Sequence, residues 1–378
     1  MMRLLFVDDD QEYLNWVESS LEEFKDEWEL VFVGSGMAAL KEIERAPFCA
    51  VISALHMPDM DGAMLLRKVR DEHPDVVRIV MSDTMKDDAP LRATAVAHQF
   101  VLKRCEMDEL LRVIFRSCEL HALIRGAEVC VLVEKIGDLP VQPKIYGQLM
   151  LALGDPGMGL GDVGEIVEKD VAISAKLLAM ANSSRFPMRT ELQTVQHAIS
   201  FMGARMVASV VLSLEVAAAF PVAKHTEFSL DSFNDHSSLV GVIARDMFEN
   251  DRLQGDDAFV AGMMHDVGKL MMASRLPRER ELVDVPGSVV THGALGALLL
   301  SDWGFRYPVV QGVAFHHEPS IADDRLGIAT ALHVADAIAH EIEGKVSAAE
   351  ELLDMDHLEL IAVDSMVDRC RHMAAELI

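Results

Sequence analysis

The sequence predicts an α/β doubly wound domain around a five-stranded parallel sheet, followed by an all-α region. Three observations lead there. Over the first 120 residues, five short apolar runs alternate with segments of helical period, the pattern of a parallel sheet covered on both faces. After Pro143 no alternating strand pattern recurs, and apolar residues fall at helical spacing instead. Between the two regions runs a tract with apolar positions spaced by three and four, closed by Gly137-Asp138-Leu139-Pro140, which marks a boundary.

Length and charge narrow the function. A chain of 378 residues has room for two or three domains. With 34 Lys and Arg against 61 Asp and Glu, the net charge is −27, which argues against a phosphate backbone as partner, so DNA binding is not expected. No apolar run reaches membrane-spanning length; the best, 207–222, is interrupted by Glu215 and closed by Pro221. The early Asp8-Asp9-Asp10 run stands where a secretion signal needs an apolar core. Five cysteines without a CxxC pair fit reduced thiols. A cytoplasmic protein without membrane insertion is the expectation.

The predicted strands lie at 4–7, 30–33, 50–53, 76–81 and 99–102, and Leu14, Val17, Leu21 and Phe24 form one face of the first helix. In parallel α/β sheets chemistry collects at the carboxyl ends of the strands. There the sequence places Asp8 and Asp9 after the first strand, Ser82 after the fourth and Lys103 after the fifth. Paired carboxylates suit a hard cation such as Mg²⁺, a hydroxyl can bond a phosphoryl oxygen, and an ammonium can neutralise it. The third strand runs into Ala54-Leu55-His56-Met57-Pro58-Asp59-Met60-Asp61-Gly62.

With these residues, positions 1–118 resemble the receiver domain of two-component response regulators. The resemblance implies that Ala54, four residues before Pro58, occupies the phospho-acceptor position and that Phe100 is the switch aromatic. It also implies a cognate histidine kinase as the partner of a form with aspartate at that position. A methyl group can neither accept a phosphoryl group nor complete a Mg²⁺ site, so phosphorylation is not expected to switch this domain. Arg104 stands where the family usually has proline. A natural pseudo-receiver and a recent or deliberate replacement of the aspartate both fit; retention of Asp8, Asp9, Ser82 and Lys103 favours the second.

From Met107 a single connecting helix is predicted over 106–138. Leu110, Val113, Ser117, Leu120, Ile124, Ala127 and Val131 form a heptad seam suited to pairing two chains or docking on the output region. Gly126 would weaken it.

The region beyond is expected to be helical over 160–181 and 195–219. It contains Leu139-Pro140, Val171-Ala172-Ile173, Leu177-Leu178-Ala179-Met180-Ala181-Asn182-Ser183 and Ala198-Ile199-Ser200-Phe201-Met202-Gly203. These stretches resemble the HDOD (HD-related output) family. The domain is placed at 139–345, with an N-terminal helical part at 139–222, an HD-like part at 231–345, and a helical tail at 346–378. Receiver plus HDOD implies a bacterial response regulator acting through other signalling proteins.

Candidate chemistry in the second half lies in His236, His265, Asp266, His292, His316, His317 and Asp336, with Lys269 one helical turn beyond His265. Imidazoles with carboxylates make a nitrogen and oxygen donor set suited to Fe, Mn, Zn or Ni. Two metals bridged by Asp266 would activate a water for attack on a phosphodiester. The order first His, His-Asp dyad, distant Asp resembles HD-type phosphohydrolases. His292 and His316-His317 resemble the further ligands of the HD-GYP branch, which hydrolyses a cyclic dinucleotide. The Gly-Tyr-Pro signature of that branch is replaced by Pro319-Ser320-Ile321. Three roles stay open: a binding scaffold, a metal-bound silent or sensing domain, and an active hydrolase. The acidic runs at 341–343 and 354–356 are taken as solvated faces.

Overall fold

The computed structural model describes residues 2–25, 27–82, 96–103, 105–136, 139–154, 157–183, 186, 192–220, 228–275 and 291–377. The chain divides into two compact units, 1–126 and 127–378, and each is described by itself.

The first unit is the predicted doubly wound domain. Strands β1 (Met2–Val7), β2 (Trp28–Val33), β3 (Ala50–Ala54), β4 (Val77–Ser82) and β5 (Gln99–Leu102) form one parallel sheet in the order β2-β1-β3-β4-β5. The two-residue period sorts their side chains onto two cores. Leu5, Val7, Val51 and Val80 pack with α2 (Gly36–Arg45) and α3 (Gly62–Glu72). Leu4, Phe6, Ile52 and Ile79 pack with α1 (Gln11–Ser20) and α4 (Met107–Ile124). Asp10 starts α1, its carboxylate accepting the N–H groups of Glu12 and Tyr13. Val7 pairs with Ser53, Ala54 with Met81, and Ser82 with Leu102, so Asp8, Ala54 and Lys103 share one edge of the sheet.

The expected single connecting helix is two helices. α4 ends at Ile124, and α5 (Ala127–Ile136) begins after Arg125 and Gly126; glycine disfavours helix enough to allow the break. The heptad seam is not continuous either. Leu110 packs in the sheet's core beside Ile114 and Cys118, whereas Val131 is exposed. Gly137, Asp138 and Arg104 lie outside the described residues.

The second unit is helical throughout its described residues. Its elements are α5, α6 (Lys144–Gly154), α7 (Leu160–Glu168), α8 (Val171–Ala181), α9 (Val195–Met202), α10 (Ala204–Ala219), α11 (Leu230–Asp246), α12 (Arg252–Met264) and α13 (Val267–Arg275). There follow α14 (His292–Asp302), α15 (Tyr307–Phe315), the short α16 (Pro319–Ala322), α17 (Ile328–Ile342), α18 (Met355–Leu360) and α19 (Asp364–Ala375). The tract expected as one helix over 160–181 breaks at Asp170, whose side chain caps α8 by accepting Ala172 and Ile173 N–H. The tract over 195–219 breaks at Gly203, where φ is 90° and the two helices turn by 120°, a conformation that costs glycine little. No single described helix is long and apolar enough to cross a membrane.

A compact group of α11, α12, α13, α14, α15 and α17 forms the centre of this unit. The 346–378 tail packs against it through α19 on α17 and α11. Asp354 there is not merely solvated. Its carboxylate caps α18, and its N–H reaches His333 Nε2 at 2.8 Å.

Candidate functional site

In the first unit, Ala54 ends β3 and is fully buried. Asp8 is buried directly after β1; its Oδ1 accepts Asp10 N–H at 3.0 Å and its Oδ2 lies 2.7 Å from Lys103 Nζ. Ser82 closes β4 and is buried, whereas Asp9 is exposed. Phe100 belongs to β5, but its side chain is outside the described set. Asp8 and Lys103 therefore meet as an ion pair at the carboxyl edge that Ala54 shares.

In the second unit, helix ends and close helix approaches build the site. The His265-Asp266 dyad was expected within a helix, but it occupies the break between α12 and α13. The last carbonyls of a helix lack intrahelical partners. His265 Nδ1 donates to one of them, Gly262 O, at 2.8 Å. His316 ends α15 in the same way, with Nδ1 donating to Val313 O at 2.8 Å. A carbonyl can only accept, so each Nδ1 carries the proton and each Nε2 keeps its lone pair when the ring is neutral.

Two glycines allow these ends to meet. A Cβ on Gly262 would stand 2.5 Å from Gly241 Cα, so α11 and α12 approach backbone to backbone and carry His236 toward His265. A Cβ on Gly268 would stand 2.0 Å from His292 O, so α13 lies against the start of α14 and Asp266 faces His292.

All seven predicted residues converge. His292 Nε2 is 3.1 Å from both Asp266 Oδ1 and His316 Nε2. His236 Nε2 is 2.9 Å from Asp336 Oδ1. His265 Nε2 faces Asp266 Oδ1 at 3.5 Å and Asp336 Oδ1 at 3.7 Å. The His317 ring lies 4.0 Å from that of His316 and 5.0 Å from that of His292, centre to centre, and the residue opens to solvent. Lys269 does not sit on His265; its ammonium pairs with Asp266 at 2.8 Å and is partly exposed.

Electrostatics follow from this crowding. Burial opposes charge on Asp266, yet His265, Lys269 and His292 outweigh it and hold the carboxyl well below its usual range. Asp336 is held low in the same manner by His236, His265 and His340. Burial also works against a charged His236, but Asp336 and Glu343 overcome it and push the imidazole up to about 9. His316 is driven well below the usual histidine value by burial and then by His317, His292 and His265.

The donors suit a divalent transition metal. His265 Nε2 is fully buried and lies beyond normal hydrogen-bond distance of the two carboxylate oxygens it faces. Asp266 Oδ1 is likewise buried without a well-directed hydrogen bond, although the Lys269 ammonium stands 2.8 Å away. Leaving such groups unmatched is costly, and a cation between them would satisfy both. Three neighbouring groups have ligand atoms close enough to share an ion: His292, His316 and His317; His236, His265 and Asp266; and His236, Asp336 and His340.

No motif in the sequence marks His340, and the acidic run holding Glu343 reads as a solvated face; the structure brings both to the cluster. Their spacing of four and seven from Asp336 places all three along one side of a helix, which could have indicated them. His340 Nδ1 lies 2.8 Å from Asp336 O and its ring meets His236 edge-on. His333, equally unmarked in the sequence, bonds His316 O at 2.8 Å.

Comparison with known proteins agrees with both folds. The response regulator receiver domain model matches residues 4–115, and the HDOD domain model matches 139–319, ending before Asp336. A solved Shewanella amazonensis SB2B protein bearing the name "Putative phosphohydrolase" is similar in fold to 67% of this chain and 98% of its own, at 22% identity and a TM-score of 0.51. The signal receiver domain of an HD domain-containing protein from Pseudomonas fluorescens Pf-5 aligns with 33% of this chain and 93% of its own, at 23% identity and a TM-score of 0.32. A Treponema pallidum (strain Nichols) protein without an assigned role is 24% identical over 202 residues. That match takes in 49% of this chain but only 39% of the relative's length. The sheet with its acidic edge, the helical unit with its histidine cluster and the two family matches agree: this chain is a response-regulator-like signalling protein, composed of a response regulator receiver domain and an HDOD domain.

Proposed function

We propose that the HDOD domain is a metal-bearing output module that signals by binding other proteins or a small ligand, with one or two metals held by ligands drawn from His236, His265, Asp266, His292, His316, His317 and Asp336. The observation that carries this reading is the buried His265 Nε2, which faces carboxylate oxygens of Asp266 and Asp336 at 3.5 and 3.7 Å, beyond a normal hydrogen bond to either. The receiver, in this reading, is not switched by phosphorylation. Position 54 is a buried methyl, and Lys103 is engaged by Asp8. A histidine kinase would be the partner only of a form carrying aspartate at that position.

The test is elemental analysis of the full chain after growth with Fe, Mn, Zn and Ni and exhaustive dialysis. Stoichiometric metal that disappears in Asp266→Ala supports the reading. A wild-type chain that emerges metal-free sinks it.

A second reading, hydrolysis of a cyclic dinucleotide, is favoured by the partly exposed Lys269 ammonium beside Asp266 and by the solvent-open His317. A bound metal would there supply an activated water, while Lys269 would hold a phosphoryl oxygen and His317 would line the entrance. Incubation of the metal-loaded chain with cyclic di-GMP, followed by product chromatography, separates the readings. Turnover that Asp266→Ala abolishes selects hydrolysis, and intact substrate selects the binding module.

A further inference from the structure

We propose that Glu343 is a positioning residue for His236: its carboxylate holds Nδ1 so that Nε2 is the atom turned toward a metal beside Asp336, His265 and Asp266. The proposal rests on the metal reading above and deepens it by one residue outside the HDOD-matched range.

The geometry points to Glu343 in three ways. Both of its oxygens lie 3.1 Å from His236 Nδ1, while His236 Nε2 is on the other side of the ring, 2.9 Å from Asp336 Oδ1. Two carboxylates thus bracket one imidazole from opposite nitrogens, and they are not equivalent. Asp336 Oδ1 also faces His265 Nε2 at 3.7 Å and belongs with the ligand atoms. Glu343 pairs with His236 and, at 2.7 Å, with the Lys345 ammonium. A carboxylate that accepts from the far nitrogen of a liganding histidine fixes its tautomer and strengthens it as a donor.

The helix itself does not call for an acid at this position. Glu343 is the C-cap of α17, the end where the helix dipole disfavours a negative charge and where glycine or a basic residue is the usual choice. Its stabilisation comes from His236 and Lys345. Glu341, two residues earlier, acts elsewhere. It receives Arg371 at 3.1 Å and Ala349 N–H at 2.9 Å, tying the C-terminal tail to α17. Of the two acids, only Glu343 reaches the histidine cluster.

The experiment uses the full chain and Zn²⁺, titrated against a chromophoric chelator, with Glu343→Ala, Glu343→Gln and Glu343→Asp compared with wild type. Loss of an outer carboxylate of this kind weakens metal binding by roughly 10–100-fold, which is the expectation for Glu343→Ala with an unchanged melting curve. Glu343→Gln keeps an acceptor oxygen without the charge and should fall between; Glu343→Asp should recover part of the affinity. Nitrogen-15 spectra of the Zn²⁺-loaded chain supply a readout that general stability does not move: His236 should show protonated Nδ1 and metal-bound Nε2 in wild type, and lose that single state in Glu343→Ala. Should Glu343→Ala prove unable to fold, Glu343→Gln and Glu343→Asp decide by the same two readouts. Wild-type Zn²⁺ affinity and an unaltered His236 pattern in the variants would overturn the role of Glu343 and leave the metal reading standing. Failure of the wild-type chain itself to take up Zn²⁺ overturns both.

Discussion

The receiver and the HDOD domain each bury aspartate charge beside a lysine, and they differ in what else surrounds it. In the receiver, Asp8 is buried, but its charge is met from within the chain by Lys103 at 2.7 Å. In the HDOD domain, Asp266 and Asp336 gather imidazoles around them, and still one buried nitrogen, His265 Nε2, has no hydrogen-bond partner. Asp8 Oδ2 and Asp266 Oδ1 are alike in being buried beside a lysine ammonium without a well-directed hydrogen bond, so the imidazole nitrogen facing carboxylates is what sets the second site apart. A buried imidazole nitrogen without a hydrogen bond, beside two carboxylates, is the feature that the proposed metal would satisfy. Position 54 separates them further: the sheet edge beside Asp8 and Lys103 carries a buried methyl at Ala54, whereas the HDOD cluster brings imidazoles and carboxylates together.

Restoring that oxygen is the sharpest way to break the contrast. Ala54→Asp should turn a receiver with no response into one that binds Mg²⁺ with a beryllofluoride phosphate mimic, because Asp8, Ser82 and Lys103 are already at the same edge. Amide NMR shifts check it. A saturable Mg²⁺-dependent change of equal size in the Ala54 chain would erase the distinction drawn between the two sites.

Gly268→Ala addresses the other side of the comparison. The added methyl would sit 2.0 Å from a backbone oxygen of His292, so α13 and α14 must separate. Overpacking of this kind costs about 1–3 kcal/mol, and the same movement should draw Asp266 away from His292. Thermal unfolding together with Zn²⁺ titration measures both effects. A variant as stable as wild type would mean that the close approach is not what assembles the cluster.

Acid should distinguish the units as well. His98 and His121 are packed around Arg78 in the receiver. Burial first, and the neighbouring Arg78 and Arg125 next, hold both imidazoles low, His121 at about 4. A depressed folded-state value means that protonation favours the unfolded chain. Their contribution is therefore complete above the ordinary histidine value and is lost as pH falls from about 6.5 toward 4. The receiver should lose about 1–3 kcal/mol over that window, and His121→Gln should flatten the slope in urea titrations. A pH-independent receiver transition would count against the buried cationic cluster.

The smallest effect is expected at the start of α8, a helix that supplies none of the clustered histidines and aspartates. Asp170→Ala removes the cap of α8 and should cost about 1 kcal/mol by thermal unfolding, with Zn²⁺ affinity untouched. A larger loss, or any change at the metal cluster, would tie this part of the HDOD domain to the site more closely than its packing indicates.

Much of this was legible before any coordinate. The five strands were found within a residue or two, since short apolar runs alternating with helical segments have few other uses in a chain of this kind. Interruptions were harder to see. Asp170 and Gly203 divide stretches that look uniformly helical, because a cap or a residue at positive φ breaks a helix without disturbing its apolar period. Glu343 is inconspicuous for a related reason: an acid close to another acid carries no mark of the one imidazole it faces.

Residue types and their order determined by themselves that this chain holds a parallel-sheet domain with alanine at position 54 and a helical domain rich in histidine and aspartate. What only the tertiary structure decided is which nitrogens and oxygens meet. His236 and Asp336 are 100 residues apart, and the tautomers of His265 and His316 are set by carbonyls left over at two helix ends. Composition determines what donors exist. Their direction depends on how closely helices approach, and that is a property of packed backbones rather than of any local pattern.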